Sequence, residues 1–306
     1  MKYGIYSLSV AALALAFMAP GVAADKQFDK TFSVSSGGTL HLTTDVGSVK
    51  ITGGSGSEVV VKAEVHGSES FVKDFKFEAW QEGGNVHVKA EVPKSVWRMF
   101  SSGNQDAKFT VTVPGKYNID ASTAGGDVAI TGVEGTVRGS TSGGDIAAAE
   151  VVGNVSIQTS GGDVEVTEVE GMVEAETSGG DVVVKSVKGD VRGETSGGNV
   201  KIDGVEGAVK AETSGGNVLV VVRGGNKGVH AETSGGNVEI AVASNVSANI
   251  DAATSGGSVE CDLPVTVQGK IHESSIKGTV NGGGPLIYAH TSGGDVRIKN
   301  ASAGTK

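Results

Sequence analysis

Residues 159–218 read TSGGDVEVTEVEGMVEAE, TSGGDVVVKSVKGDVRGE, TSGGNVKIDGVEGAVKAE and TSGGNV without interruption. The hexapeptide TSGGDV or a close variant starts at Thr141, Thr159, Thr177, Thr195 and Thr213, always 18 residues apart. An earlier copy starts at Thr123, looser ones at Thr233, Thr254 and Thr291, and a degraded one, SIKGTV, at Ser275. Beneath this period lies one of nine: glycine stands at every ninth position from 126 to 216, with Val or Ile two residues after each. Two further on, the large Val166, Val184 and Ile202 alternate with the small Ala175, Gly193 and Ala211. Apolar residues two apart within about five residues mark a short strand with one buried face. The intervening glycines mark turns or close backbone approach.

Each nonamer is therefore one strand and one turn, and two nonamers make a coil. Large residues in one strand opposite small ones in the next suit two sheets facing across a thin core, because interior volume must stay nearly constant. A hexapeptide helix also has 18 residues per coil, but it needs an apolar residue every six, and Val164 is followed by Glu170 and Glu176. An antiparallel meander would bury only one face, and no amphipathic helix is available to cover it. The pattern predicts an all-β fold: a parallel β-solenoid (β-helix) of 18-residue, two-strand coils.

Outward from the repeat, the chain divides into three. Residues 1–24 combine Lys2, an apolar run from Leu8 to Ala19 and the small-residue site Val22-Ala23-Ala24, the pattern of a cleaved secretory signal peptide. The run is too short to span a membrane, and no later stretch of the mature chain is apolar enough to do so. Residues 25–122 hold ten of the fourteen aromatics and read as longer, less regular strands such as Val59–Val65 and Phe109–Pro114, an N-terminal β-rich cap over the first coil. Residues 123–306 are the solenoid, with irregular C-terminal coils over 219–306, and the final TSGGDVRIKN is expected to close the far end. The lone Cys261 cannot form an internal disulfide and is expected to serve as a small core residue.

The 306 residues carry a net charge of −10, and −11 without residues 1–24, since Lys2 is the one charged residue there. That balance argues against nucleic acid as a partner. The 49 glycines, read alone, suggest disorder, but between 125 and 218 most fall at fixed register and are evidence for the fold.

Thr112-Val113-Pro114 leading into Asn118-Ile119-Asp120, then TAGGDVAITGVEGTV and the train of TSGGDV copies, resembles the bacterial putative-adhesin family of exported β-strand repeat proteins, a domain of unknown function. Thr44-Asp45-Val46-Gly47-Ser48-Val49 and the SIKGTV segment fit the same pattern. The resemblance implies an exported β-helical domain with an adhesion or envelope role, and no catalytic residues.

Candidate sites are few. Asp127, Asp145, Asp163 and Asp181 begin a ladder continued by Asn199, Asn217 and Asn237. Stacked carboxylates can recruit Ca²⁺, but the calcium nonapeptide wants an acid every nine residues, so hydrogen bonding of the turn backbone is the stronger reading. Glu176, Glu194, Glu212 and Glu232 form a second acidic stripe, read as a solvated surface. The threonine ladder from Thr141 to Thr213 invites an ice-binding reading, but flat ice-binding faces present Thr-x-Thr pairs on a strand, and here a lone Thr stands beside each Gly-Gly turn. The six histidines show neither HxH nor HExxH spacing, so no zinc site is signalled. The apolar segment Val96, Trp97, Arg98, Met99 and Phe100 either packs over the first coil or forms an exposed contact patch.

The expected protein is not an enzyme and has no cofactor. It is a periplasmic, cell-surface or secreted scaffold that binds an envelope component, a polysaccharide or a protein. The alternatives are a carbohydrate-active β-helix enzyme and a Ca²⁺-stabilised solenoid.

Overall fold

The computed structural model describes residues 24–92, 105–267 and 272–301. Its centre is set by the repeat. Strands β9 (Val128–Glu134), β11 (Ile146–Val152), β13 (Val164–Glu170), β15 (Val182–Val187), β17 (Val200–Val205) and β19 (Val218–Val222) stack in parallel in one sheet. Strands β8 (Asn118–Thr123), β10 (Val137–Thr141), β12 (Val155–Thr159), β14 (Val173–Glu176), β16 (Val191–Thr195) and β18 (Val209–Thr213) stack in parallel in the other. The register joins each residue to the one 18 positions on, for instance Val164 to Val182 and Val182 to Val200. The parallel two-strand coil expected from the sequence is the structure found.

Between the sheets the volumes compensate. Ile130 and Val166 in the first sheet sit in the same row as Ala148, and in the second sheet Gly139 and Ala175 flank Ile157. A methyl group added at Gly139 would lie 3.2 Å from Ile157 Cγ2 and 3.7 Å from Ile130 Cδ1, so the space is already taken from both sheets. In the first sheet a left-handed residue recurs at one place, through Gly132, Glu150, Glu168, Ser186 and Gly204, with φ between 55° and 75°. This kink interrupts the period of two. It returns Val133, Val151, Val169, Val187 and Val205 to the core three residues after the preceding buried position.

The TSGG turns are bonded from coil to coil. The Thr159 hydroxyl donates to the Gly144 carbonyl at 2.8 Å and accepts from the Gly162 N–H at 3.4 Å, and Thr141, Thr177, Thr195 and Thr213 repeat the arrangement. All ten threonines of this ladder, Thr44 to Thr291, are buried. Their hydroxyls are spent inside the protein, so this ladder presents none of them to water.

Both ends depart from chain order. At the N-terminal end β2 (Thr39–Thr44) and β3 (Ser48–Gly54) form a coil directly beneath β8 and β9. The chain then leaves through β4 (Glu58–Gly67), the one-turn-and-a-half helix α1 (Glu69–Asp74) and the antiparallel strand β5 (Lys76–Glu82). It returns as β6 (Asn85–Glu91) and β7 (Asp106–Pro114), an outer coil below β2 and β3. β1 (Ala24–Ser33) pairs antiparallel with β4 at the edge. Ser68 caps α1, which buries Phe71 and Val72 beside Phe28, Phe75 and Phe77.

At the other end, β20 (Val229–Thr233) and β21 (Val238–Val242) continue the stack. The next coil in sequence, β22 (Ala248–Thr254) and β23 (Val259–Cys261), stands one position further out. After β24 (Val265–Val267) and the antiparallel β25 (Ser275–Val280), strands β26 (Leu286–Thr291) and β27 (Val296–Asn300) fill the place left between them. The final TSGGDVRIKN is therefore an interior coil and not the closing one. Its ladder bonds prove the position: Thr291 donates to the Gly236 carbonyl and Thr254 to the Gly294 carbonyl, each at 2.7 Å. Cys261 is half-buried against the core, and burial pushes its thiol pKa up. Among the described residues no helix is long and apolar enough to cross a membrane.

Candidate functional site

Strand alternation sends two residues per coil outward from the second sheet, and the 18-residue register stacks them into two columns whose successive members lie about 4.8 Å apart. The first column runs Trp80, His87, His41, Asp120, Arg138, Ser156, Glu174, Arg192, Lys210, His230, Tyr288 and Asp251. The second includes Gln158, Glu176, Glu194, Glu212, Glu232 and His290. The glutamates of that stripe, with Ser178, Ser196 and Ser214 from the turns, line an open groove of about 520 Å³.

The two columns are cross-linked by charge. Arg192 reaches Glu194 at 2.6 Å and Glu176 at 3.4 Å, and Lys210 lies 2.8 Å from Glu194 and 2.9 Å from Glu212. Hydrogen bonds to Glu194 and Glu212 raise the Lys210 pKa. Partial burial works to raise the Glu212 pKa, but Lys210 outweighs it and the net shift is downward. In the next coil His230 takes the place that Arg192 and Lys210 hold in theirs. Its Nε2 is 3.1 Å from Glu212 Oε1 and 3.4 Å from Glu232 Oε2. One donor atom from each of Glu212, His230 and Glu232 lies within 4.8 Å of the other two.

Rings occupy both ends of the face. Tyr288 stacks on His230 at 4.5 Å and on His290 at 3.9 Å, both nearly parallel. His290 also meets Asp251, whose pKa is lowered first by its bond to Lys277. At the opposite end the exposed Trp80 stacks on His87, and His87 on His41.

The residues proposed from sequence fare differently. Val96, Trp97, Arg98, Met99 and Phe100 lie outside the described residues, as does nearly all of the 1–24 segment. Asp127, Asp145 and Asp163 stand at the turns, and each carboxylate accepts the N–H of the aspartate one coil on, at 2.8–2.9 Å. Asp181 does the same for Asn199, and Asn199 and Asn217 continue the series through their amide oxygens. The ladder fastens the backbone of each turn to the side chain of the turn one coil earlier. The cluster the sequence did not signal is the one around His230, because Glu212 precedes it by 18 residues and Tyr288 follows it by 58.

The profile of the Toastrack DUF4097 family matches residues 38–299, the interval from the first coil to the last. The chain belongs to that family. As a Toastrack protein it can be set beside several solved structures. A putative adhesin from Bacteroides fragilis is 16% identical over 90% of this chain and 97% of its own, with a TM-score of 0.39. A putative cell adhesion protein from Clostridium sporogenes is 13% identical over 90% and 100%, with a TM-score of 0.29. A putative lipid binding protein from Parabacteroides distasonis is 11% identical over 92% and 98%, with a TM-score of 0.43. No curated protein matches the Toastrack chain significantly.

Proposed function

We propose that this protein is an exported, non-catalytic, adhesin-like scaffold that binds an envelope polymer or protein along the outer face of its second sheet. The observation that carries the reading is the continuous acidic groove, in which carboxylates and hydroxyls repeat at strand spacing on a rigid support. A repeating array of this kind matches a partner that itself repeats, since many weak contacts in register add to a firm grip. The chemistry of the groove supports binding over hydrolysis. General-acid catalysis calls for a carboxyl with a raised pKa, whereas Glu212 is lowered and Glu176 and Glu194 are paired with Arg192 and Lys210.

The test is capture of isolated envelope fractions by the purified protein, comparing wild type with a variant carrying Glu176→Gln, Glu194→Gln, Glu212→Gln and Glu232→Gln. Retention of the same component by wild type and its loss in the variant supports the reading. Equal retention by both removes the groove from it, and turnover of any envelope glycan replaces the scaffold with the carbohydrate-active enzyme.

A further inference from the structure

The cluster around His230 differs from the rest of the acidic stripe. Elsewhere on the face a cation of the protein's own, Arg192 or Lys210, sits between the glutamates. At the next coil the intervening side chain is an imidazole, a neutral nitrogen donor once its proton is lost. Its Nε2 faces one carboxylate from its own strand β20 and one from the neighbouring β18, at 3.4 and 3.1 Å. In a tetrahedral zinc site with bonds of about 2.0–2.1 Å, neighbouring donors are about 3.3 Å apart. Two of the three edges of such a site are thus already at length. The third, between Glu212 and Glu232, is within 4.8 Å and needs only a rotation of partly exposed carboxylates.

We propose that Glu212, His230 and Glu232 form a binding site for a divalent transition-metal ion, three protein donors with at least one position open to water. The donor set of one imidazole and two carboxylates suits zinc and its neighbours better than calcium, which takes six or more oxygens. Tyr288 is a positioning residue: its ring stacks at 4.5 Å and 5° against His230 and holds the imidazole plane so that Nε2 stays between the two carboxylates. Lys210 acts in the opposite sense. It takes Glu212 Oε2 at 2.9 Å, leaves Oε1 for the metal and places a positive charge beside it. The open position faces solvent on the sheet surface, where a phosphate or carboxylate brought by another molecule could complete the coordination. Neither the aspartate ladder nor the histidine stack near Trp80 offers three such atoms in one place among the described residues.

The experiment is calorimetric titration of the metal-stripped full chain with zinc chloride, repeated for Glu232→Gln, His230→Ala, Lys210→Met, Tyr288→Phe and Tyr288→Ala. Each variant is first checked by circular dichroism for an unchanged melting profile. The expected result is one saturable equivalent in wild type and a loss of more than about a hundredfold in affinity in His230→Ala. Removing the adjacent charge in Lys210→Met should tighten binding on the order of tenfold. Tyr288→Phe should keep the affinity and Tyr288→Ala should lower it by about tenfold. A second readout is the imidazole NMR signal of His230, which should move on zinc addition at constant pH. No saturable uptake at micromolar zinc by wild type, or equal uptake by His230→Ala, would show that the cluster is only an ion pair and overturn the proposal. A His230 signal that answers to pH and not to zinc would overturn it equally.

Discussion

Replacing Thr159 by valine tests what holds one coil on the next. The two side chains have nearly the same shape, so the substitution removes one hydroxyl and adds one methyl in a site that is 1% exposed. The hydroxyl donates to the Gly144 carbonyl at 2.8 Å and accepts from the Gly162 N–H at 3.4 Å. A buried polar group deprived of its partner costs about 1–3 kcal/mol, and here a carbonyl loses a short bond and an N–H a long one. The added methyl returns about 0.8 kcal/mol of apolar burial. The balance is a destabilisation of about 1–2 kcal/mol.

The repeat supplies an internal control. Thr213 makes the same pair of contacts three coils away, about 14 Å along the stack. At that distance the costs should add, so Thr159→Val and Thr213→Val together should lose the sum of the singles within about 0.5 kcal/mol. Urea unfolding gives the free energies, and hydrogen exchange at the Gly162 amide reports whether the loss is local to the turn. The sign decides the matter. If threonine were there only to fill space, valine would raise stability, and an unchanged or higher urea midpoint would refute the hydrogen-bond ladder.

Three further outcomes follow from the same geometry. Gly143→Ala should be tolerated because its new methyl meets nothing within 4 Å, whereas Gly144→Ala would put a methyl 2.4 Å from the Gly126 carbonyl oxygen. The second should cost at least the upper part of the roughly 1–3 kcal/mol typical of overpacking, read from urea midpoints. The Asp251 pKa is held below its ordinary 3.8 chiefly by Lys277, so its contribution to stability is complete above that pH and is lost as pH falls through the lower, folded value. Wild type should therefore melt above Asp251→Asn at pH 6, with the gap closing below pH 3.8 in thermal scans; a constant gap would contradict the assignment. Finally, removing residues 286–306 empties an interior position, so a peptide of residues 284–301 added in trans should bind and restore the melting temperature, measured by differential scanning fluorimetry. Failure of the peptide to bind the truncated chain would show that the coil is not separable in this way.

The middle of the protein was legible because its constraints are local and repeated. Glycine at 144, 162 and 180 is required where each backbone passes within methyl distance of the one below, and valine at 164, 182 and 200 is required by one shared core row. Any single coil states the rule and the others confirm it. The left-handed column was less visible, because Glu150, Glu168 and Ser186 adopt at some strain a conformation that only Gly132 and Gly204 advertise. Its trace was the Val at 133, 151 and 169, three residues and not two beyond the preceding core position. The acidic stripe was legible as a column but not as a groove, since its depth depends on the turns beside it.

The ends were illegible for a different reason. A self-complementary repeat specifies how one coil fits the next but not which coil comes next, since every TSGG turn offers the same carbonyl and every threonine the same hydroxyl. Chain order is the default when connections are short. Where an excursion separates two copies, the later one can enter wherever a position is open. Residues 262–285 are such an excursion, and they let β26 and β27 enter between β20 and β22 and between β21 and β23. That insertion also builds the ring cluster on the outer face. It brings Tyr288 onto His230 across 58 residues of sequence and sets His290 beside Glu232. In chain order the neighbour of His230 would have been Asp251, and the imidazole would have lost the stack that orients it. The rings that orient His230 are thus a consequence of the out-of-order coil, while its carboxylate neighbours Glu212 and Glu232 come from the in-order strands β18 and β20 and belong to the acidic stripe already visible in the sequence.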